Sequence, residues 1–161
     1  MSVVEKSNYK QGVRVFFSYA QEDEVLRNEL AKHLRLMERQ GAIATWSDCE
    51  ITAGSERAEQ INENLNSADI ILLLISSDFL ASDYCWDVEM RRAIERHEIG
   101  EAKVIPIILR AVEWEVSPFT KLQTLPRNGK PVKSWPDRDE AFTNITSELR
   151  RTIDSFSAAQ E

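Results

Sequence analysis

Cys49 and Cys85 are the only cysteines in the 161-residue chain, and no CxxC pair occurs. A disulfide framework is therefore excluded, and nothing points to a structural zinc site. Both are expected as reduced thiols of a cytoplasmic protein. Glycine is sparse too, at five residues, and forms neither GxGxxG nor GxxxxGK[ST], so a dinucleotide fingerprint and a P-loop are not supported. GxSxG is missing, which removes the hydrolase elbow. His33 and His97 fall in separate helical segments without ligand spacing, so no metal is expected. Apolar runs such as "IILLLI" are far shorter than the roughly 20 residues of a membrane span. The N-terminal "MSVVEKSNYKQG" has no signal-peptide core, and no membrane contact is expected. Basic side chains number 20 against 27 acidic ones, a net charge of -7. That sign disfavours a general nucleic-acid binder, because a phosphate backbone would be repelled. A small anion in a local basic pocket remains compatible with it.

What is present is an ordinary balance of 42% hydrophobic and 29% charged residues, enough for one domain with a sizeable core. "VRVFFSYA" reads as a short buried strand. "QEDEVLRNELAKHLRLMERQG" follows with Val25, Leu26, Leu30, Leu34 and Met37 at helical spacing, acids in its first turn and Gly41 as its stop. "AIATWSD" is a second strand, "CEITAGS" a polar loop and "ERAEQINENLNSA" a helix with Ala58, Ile61 and Leu65 inward. "DIILLLIS" is almost wholly apolar, as a central strand of a parallel sheet must be when both its faces are covered. "YCWDVEMRRAIERHEIGEA" is a third helix and "KVIPIILR" another buried strand, where Pro106 implies a bulge or a position that donates no hydrogen bond. "PVKSW" is expected as a brief edge strand. "DRDEAFTNITSELRRTIDSF" closes the chain as a helix striped with Phe142, Ile145, Leu149 and Ile153. The alternation predicts an α/β three-layer sandwich around a five-stranded parallel sheet. The domain is expected over residues 12–154, between an N-terminal tail (1–11) and a C-terminal tail or linker start (155–161).

Ligands of open parallel sheets bind beyond the carboxyl ends of the strands. Three segments are expected there: "SYAQED", "SDCEITAGS" and "SSDFLASDYCWDVE". The third brings Glu89, early in a helix and close to Cys85 and Trp86, to the ligand edge. A phosphotransfer receiver would need an acidic pair after the first strand and an Asp ending the third, whereas the third strand here ends in Ser76 and Ser77.

Taken in order, "RVFFSYAQED", "WSDCEITAGS", "SADIILLLISSDFLASDYCWDVEMRRAIERHE" and "VIPIILR" resemble a bacterial Toll/interleukin-1 receptor (TIR) domain. "SPFTKLQTLPRNGKPVKSW" resembles the bacterial branch, in which the domain is usually fused to a sensor or oligomerisation module. The resemblance spans Gly12 to Ile153. It implies a flavodoxin-like fold and, for bacterial members, cleavage of NAD+ at the nicotinamide-ribose bond, with NAD+ as substrate and no separate cofactor. The family's catalytic glutamate matches Glu89. Many enzymatic members carry an aromatic residue four positions earlier; that position is Cys85 here, with Trp86 three before. The loop around Asp48, Ile51 and Gly54 matches the family's mobile BB loop at the pocket mouth.

Glu89 is thus expected as the catalytic residue, and Ser18, Tyr19, Asp48, Ile51, Gly54, Cys85 and Trp86 as substrate contacts. For several of them a plainer role stands beside that one. Glu89 would also suit a solvated first turn, Trp86 the core, and Ser18 a helix cap. The implied function is that of an NAD+ glycohydrolase acting as an oligomerisation-activated effector of bacterial immunity against phage. The implied partners are other TIR domains and a sensor module. The competing function is a non-enzymatic module that signals through TIR–TIR contacts.

Overall fold

The computed structural model describes residues 12–46, 56–115, 117–118 and 120–160. Among these residues, four strands form one parallel sheet: β1 (Val13–Ser18), β2 (Ile43–Trp46), β3 (Ile70–Ile75) and β4 (Lys103–Ile108), in the order β2-β1-β3-β4. The helices are α1 (Glu24–His33), α2 (Arg35–Arg39), α3 (Arg57–Ser67), α4 (Ser77–Ala81), α5 (Arg91–Glu98) and α6 (Arg138–Gln160). A 3-10 turn, Gln21–Asp23, leads into α1, and a π-helical segment, Cys85–Met90, leads into α5.

Side-chain alternation divides the core into two layers. Val13, Val15, Phe17, Leu72 and Ile107 face Leu26, Leu30, Met37, Phe142, Ile145 and Leu149, which come from α1, α2 and α6. Phe16, Ile71, Leu73 and Ile108 face Ile61, Leu65, Phe79, Cys85 and Met90, which come from α3, α4 and the π segment. All six side chains of β3 are at 0% exposure, which requires cover on both faces. Each contributes about 1.5–3 kcal/mol over its solvent-exposed state. Gly41, at φ 75°, ends the α1–α2 helical stretch in the left-handed conformation that glycine adopts without steric cost.

The expected fifth strand is the main correction. Residues Val132–Ser134 of "PVKSW" form a 3-10 turn, not a strand. The open edge of β4 is met elsewhere, by one parallel bridge in which Leu125 N–H donates to the Pro106 carbonyl (2.9 Å) and Ile108 N–H donates to the Leu125 carbonyl (2.8 Å). Pro106 sits on this edge strand with its carbonyl directed outward, so its missing N–H takes nothing from the pairing with β3. The closing helix also runs through Gln160, beyond its apolar stripe and into the segment assigned to the tail.

Candidate functional site

Strand order reverses between β1 and β3. The crevice beyond their carboxyl ends is therefore the topological switch point of the sheet. Ser18 is the last residue of β1 and is fully buried. Its hydroxyl donates to Glu89 Oε1 at 2.6 Å. Glu89 itself is only 7% exposed, so it is not a solvated first-turn residue. A carboxylate withdrawn to this degree costs free energy unless hydrogen bonds compensate it, and the short Ser18 contact provides one.

Local winding decides what stands beside Glu89. The segment Cys85–Met90 follows the π pattern. Its i→i+5 repeat opens the turn, so residues three apart diverge more than in an α-helix while those four apart stay on one side. Cys85 is accordingly buried on the β1 side, with its thiol 3.6 Å from the Tyr19 carbonyl. Trp86 is half-buried against the second core layer. It also lines a cavity of about 270 Å³ with Leu80, Asp83, Glu113, Ser117 and Pro118. Trp86 thus packs in part against the core, and the cavity it lines lies on the β4 side of the π segment, with neither Ser18, Tyr19 nor Glu89 in its lining. Tyr19 is half-buried against the first core layer. Asp48, Ile51 and Gly54 lie outside the described residues.

A second polar cluster spans the strand ends and was missed at the level of sequence. Asp23, 2% exposed, accepts a very short hydrogen bond from the Ser76 hydroxyl at the end of β3. It also accepts from Arg110 Nε at 2.9 Å. Arg110 reaches Asp78 at 2.5 Å through Nη2. Ser76 in turn caps α4 by accepting from Phe79 N–H at 3.1 Å. Hydrogen bonding to Asp78, followed by the charge and bond of Asp23, holds the Arg110 guanidinium above its ordinary range despite burial. Asp23 had been counted among the acids of a helix's first turn; no periodic signal marks an acid that turns inward. Three loops of the ligand edge are thereby tied into one frame.

The comparisons with known proteins agree with this architecture. The family model for the TIR domain matches residues 15–146. The chain belongs to that family, and the fold and parallel sheet expected from the resemblance are those of a TIR domain. It is 55% identical over 136 residues to an uncharacterized protein, y4lF, of Sinorhizobium fredii (strain NBRC 101917 / NGR234). That match covers 84% of this chain and 42% of the relative, so the chain spans less than half of that protein's length. Among solved structures, the TIR domain of the Toll-related receptor TRR-2 from Hydra magnipapillata is similar, with a TM-score of 0.63 and 26% identity. This covers 86% of the present chain and 96% of the receptor domain.

Proposed function

We propose that this TIR domain hydrolyses NAD+ at the nicotinamide-ribose bond, with Glu89 as the catalytic residue. The observation that carries the reading is the buried Glu89 carboxylate, fixed by Ser18 at 2.6 Å at the switch point of the sheet. The family includes NAD+-cleaving members. The reaction suits a single carboxylate. The C1′–N bond breaks with its electron pair going to the pyridinium nitrogen, so nicotinamide departs neutral and needs no proton from an acid, unlike the leaving group of a glycosidase. Positive charge grows on the ribose, and a preorganised anion in a largely dry site stabilises it. Water then adds to C1′ and releases a proton, giving ADP-ribose.

In this reading Ser18 orients the carboxylate, Tyr19 and Cys85 border the substrate, Trp86 stands apart beside Glu113, and Asp48, Ile51 and Gly54 form the mouth. Activity rises on TIR–TIR clustering in a cytoplasmic antiphage effector, driven by a sensor module. The second reading, a non-enzymatic interaction module, draws on Tyr84 and Val88, which are 40% and 38% exposed beside the site. It also draws on the likeness to a receptor domain. Incubation with NAD+ and chromatography of free nicotinamide separates the two. Release that disappears in Glu89→Gln supports the enzyme, and no release at high protein concentration supports the module.

A further inference from the structure

Arg110 closes a polar bridge in which the proposed chemistry has no direct part. It stands just beyond β4 on a backbone held from two sides. The Leu109 N–H donates to the Ile75 carbonyl at 2.9 Å, and the Leu109 carbonyl accepts from the Lys133 N–H at 3.0 Å. The Arg110 guanidinium spans two carboxylates. Nε donates to Asp23 Oδ1 at 2.9 Å, and Nη2 lies 2.9 Å from that same oxygen and 2.5 Å from Asp78 Oδ2. The Asp23 side chain is 1% exposed, whereas those of Arg110 and Asp78 are 31% and 39% exposed.

A buried carboxylate needs a counter-charge and hydrogen bonds, and Arg110 with the Ser76 hydroxyl already supplies both to Asp23. Asp78 is a second acid on the same cation, and a half-exposed pair of this kind adds little stability. What it adds is direction. A planar fork bonded to two carboxylates fixes the elements that carry them in one relative position. Those elements bear the two halves of the Ser18–Glu89 pair. Asp23 closes the short run that begins at Ser18. Within that run the Asp23 N–H donates to the Ala20 carbonyl at 2.8 Å, and the Tyr19 carbonyl meets the Cys85 thiol at 3.6 Å. Asp78 lies in α4, which passes into the π segment through Ser82. Ser82 Oγ accepts from the Cys85 N–H at 3.1 Å, and its carbonyl accepts from the Trp86 N–H at 2.9 Å. Glu89 is carried on that segment.

We propose that Arg110 is a positioning residue for Glu89: its bridge from Asp23 to Asp78 holds the segment after β1 against α4, and thereby holds Glu89 at Ser18. This rests on the NAD+ reading above. Asp78→Ala opens the bridge and leaves the buried Asp23–Arg110 pair in place, so the variant should fold. In steady-state NAD+ hydrolysis by the full chain, its kcat should fall about tenfold with KM within about twofold of wild type, as for a misplaced group that acts in the transition state. In a Ser18→Ala background, where Glu89 is already loosely held, the same change should cost less than about twofold. Arg110→Lys, which keeps the charge without the fork, should retain more activity than Arg110→Met. Leu149→Ala, a change in the first core layer, controls for lost stability, and its folded fraction should keep kcat within about twofold of wild type.

Amide hydrogen exchange followed by mass spectrometry reads the same bridge without activity. Asp78→Ala should accelerate exchange over Cys85–Met90 and leave α6 unchanged. Unaltered exchange over Cys85–Met90 overturns the proposal. So does an unaltered kcat in the folded Asp78→Ala protein, or an equal loss with and without Ser18. If the wild-type chain releases no nicotinamide, the NAD+ reading fails separately, and hydrogen exchange decides whether the bridge holds the segment of Glu89. If Arg110→Met does not fold, the two Asp78→Ala series decide.

Discussion

Glu89 and Ser18 form the unit on which the proposed chemistry depends, and each can be changed with little change of shape. Glu89→Gln keeps the size and polarity of the side chain and removes its charge. Nicotinamide release is expected to fall by at least about 100-fold, the scale on which a preorganised electrostatic group acts, with folding by circular dichroism unaltered. Turnover near the wild-type rate in the folded variant rules out the catalytic role. Ser18→Ala leaves the carboxylate buried but loosely held. Losing a hydrogen bond to a charged buried group is expected to cost about 1.5–3 kcal/mol of stability, read by urea denaturation, with a lower kcat because the anion is no longer fixed. An unchanged kcat would show that Ser18 serves only the fold. Glu89 was legible in the sequence through its place after the third strand and the resemblance of the flanking residues. Arg27 and Asp23 were not. Each looks like an ordinary charged residue on an amphipathic helix, and their burial depends on what the strand ends place above them.

Among the elements, β3 is the one that supports everything else. Its six fully buried side chains serve both core layers, and Ser76 follows directly on its last residue. Leu73→Ala is expected to destabilise the domain by about 2–5 kcal/mol, the range for a large-to-small change in a packed core. Val25→Ser, at a position that is 69% exposed, is expected to change stability by less than about 0.5 kcal/mol. Val25 had been placed on the inward stripe of its helix. The rest of that stripe, Leu26, Leu30, Leu34 and Met37, faces inward as expected. Denaturation midpoints with a common m-value test the pair. The π segment follows the same logic. Helical character was readable from spacing, but an i→i+5 winding was not, and that winding determines that Cys85 shares Glu89's side while Trp86 turns toward Glu113.

For the molecule as a whole, the decisive question is how completely one copy builds the site. Loops beyond strand ends are the parts of a fold least constrained by packing. A neighbouring domain that holds them in one conformation raises the population of the competent state. The chain spans 42% of its Sinorhizobium relative, which leaves room in such a protein for a part that clusters the domain. Its own net charge of -7 opposes self-association at low salt. Nicotinamide release per mole of protein is therefore expected to increase with protein concentration, with added salt and with an appended oligomerising tag. A flat series in all three would show that a single copy holds the complete site.

Hydrophobic periodicity by itself determined the alternation of strands and helices, the centrality of β3 and the two-sided core. These follow from local spacing, because a side chain's direction along a strand or helix is set by the backbone repeat. No helix among the described residues is long and apolar enough to cross a membrane, which composition had also implied. Only the tertiary structure decided what closes the edge of β4. "PVKSW" alternates well enough for a strand, yet Leu125 makes the bridge at the edge and the Lys133 N–H donates to the Leu109 carbonyl at 3.0 Å from within a turn. Only the tertiary structure brought Ser18 to Glu89 across 71 residues, Asp23 to Arg110 across 87, and the Arg27 guanidinium over the Phe17 and Tyr19 rings. The physical reason is the same in each case. Pairing across the fold depends on the distance and burial of side chains far apart in the chain, and those are properties of the packed sheet edge, not of any local repeat.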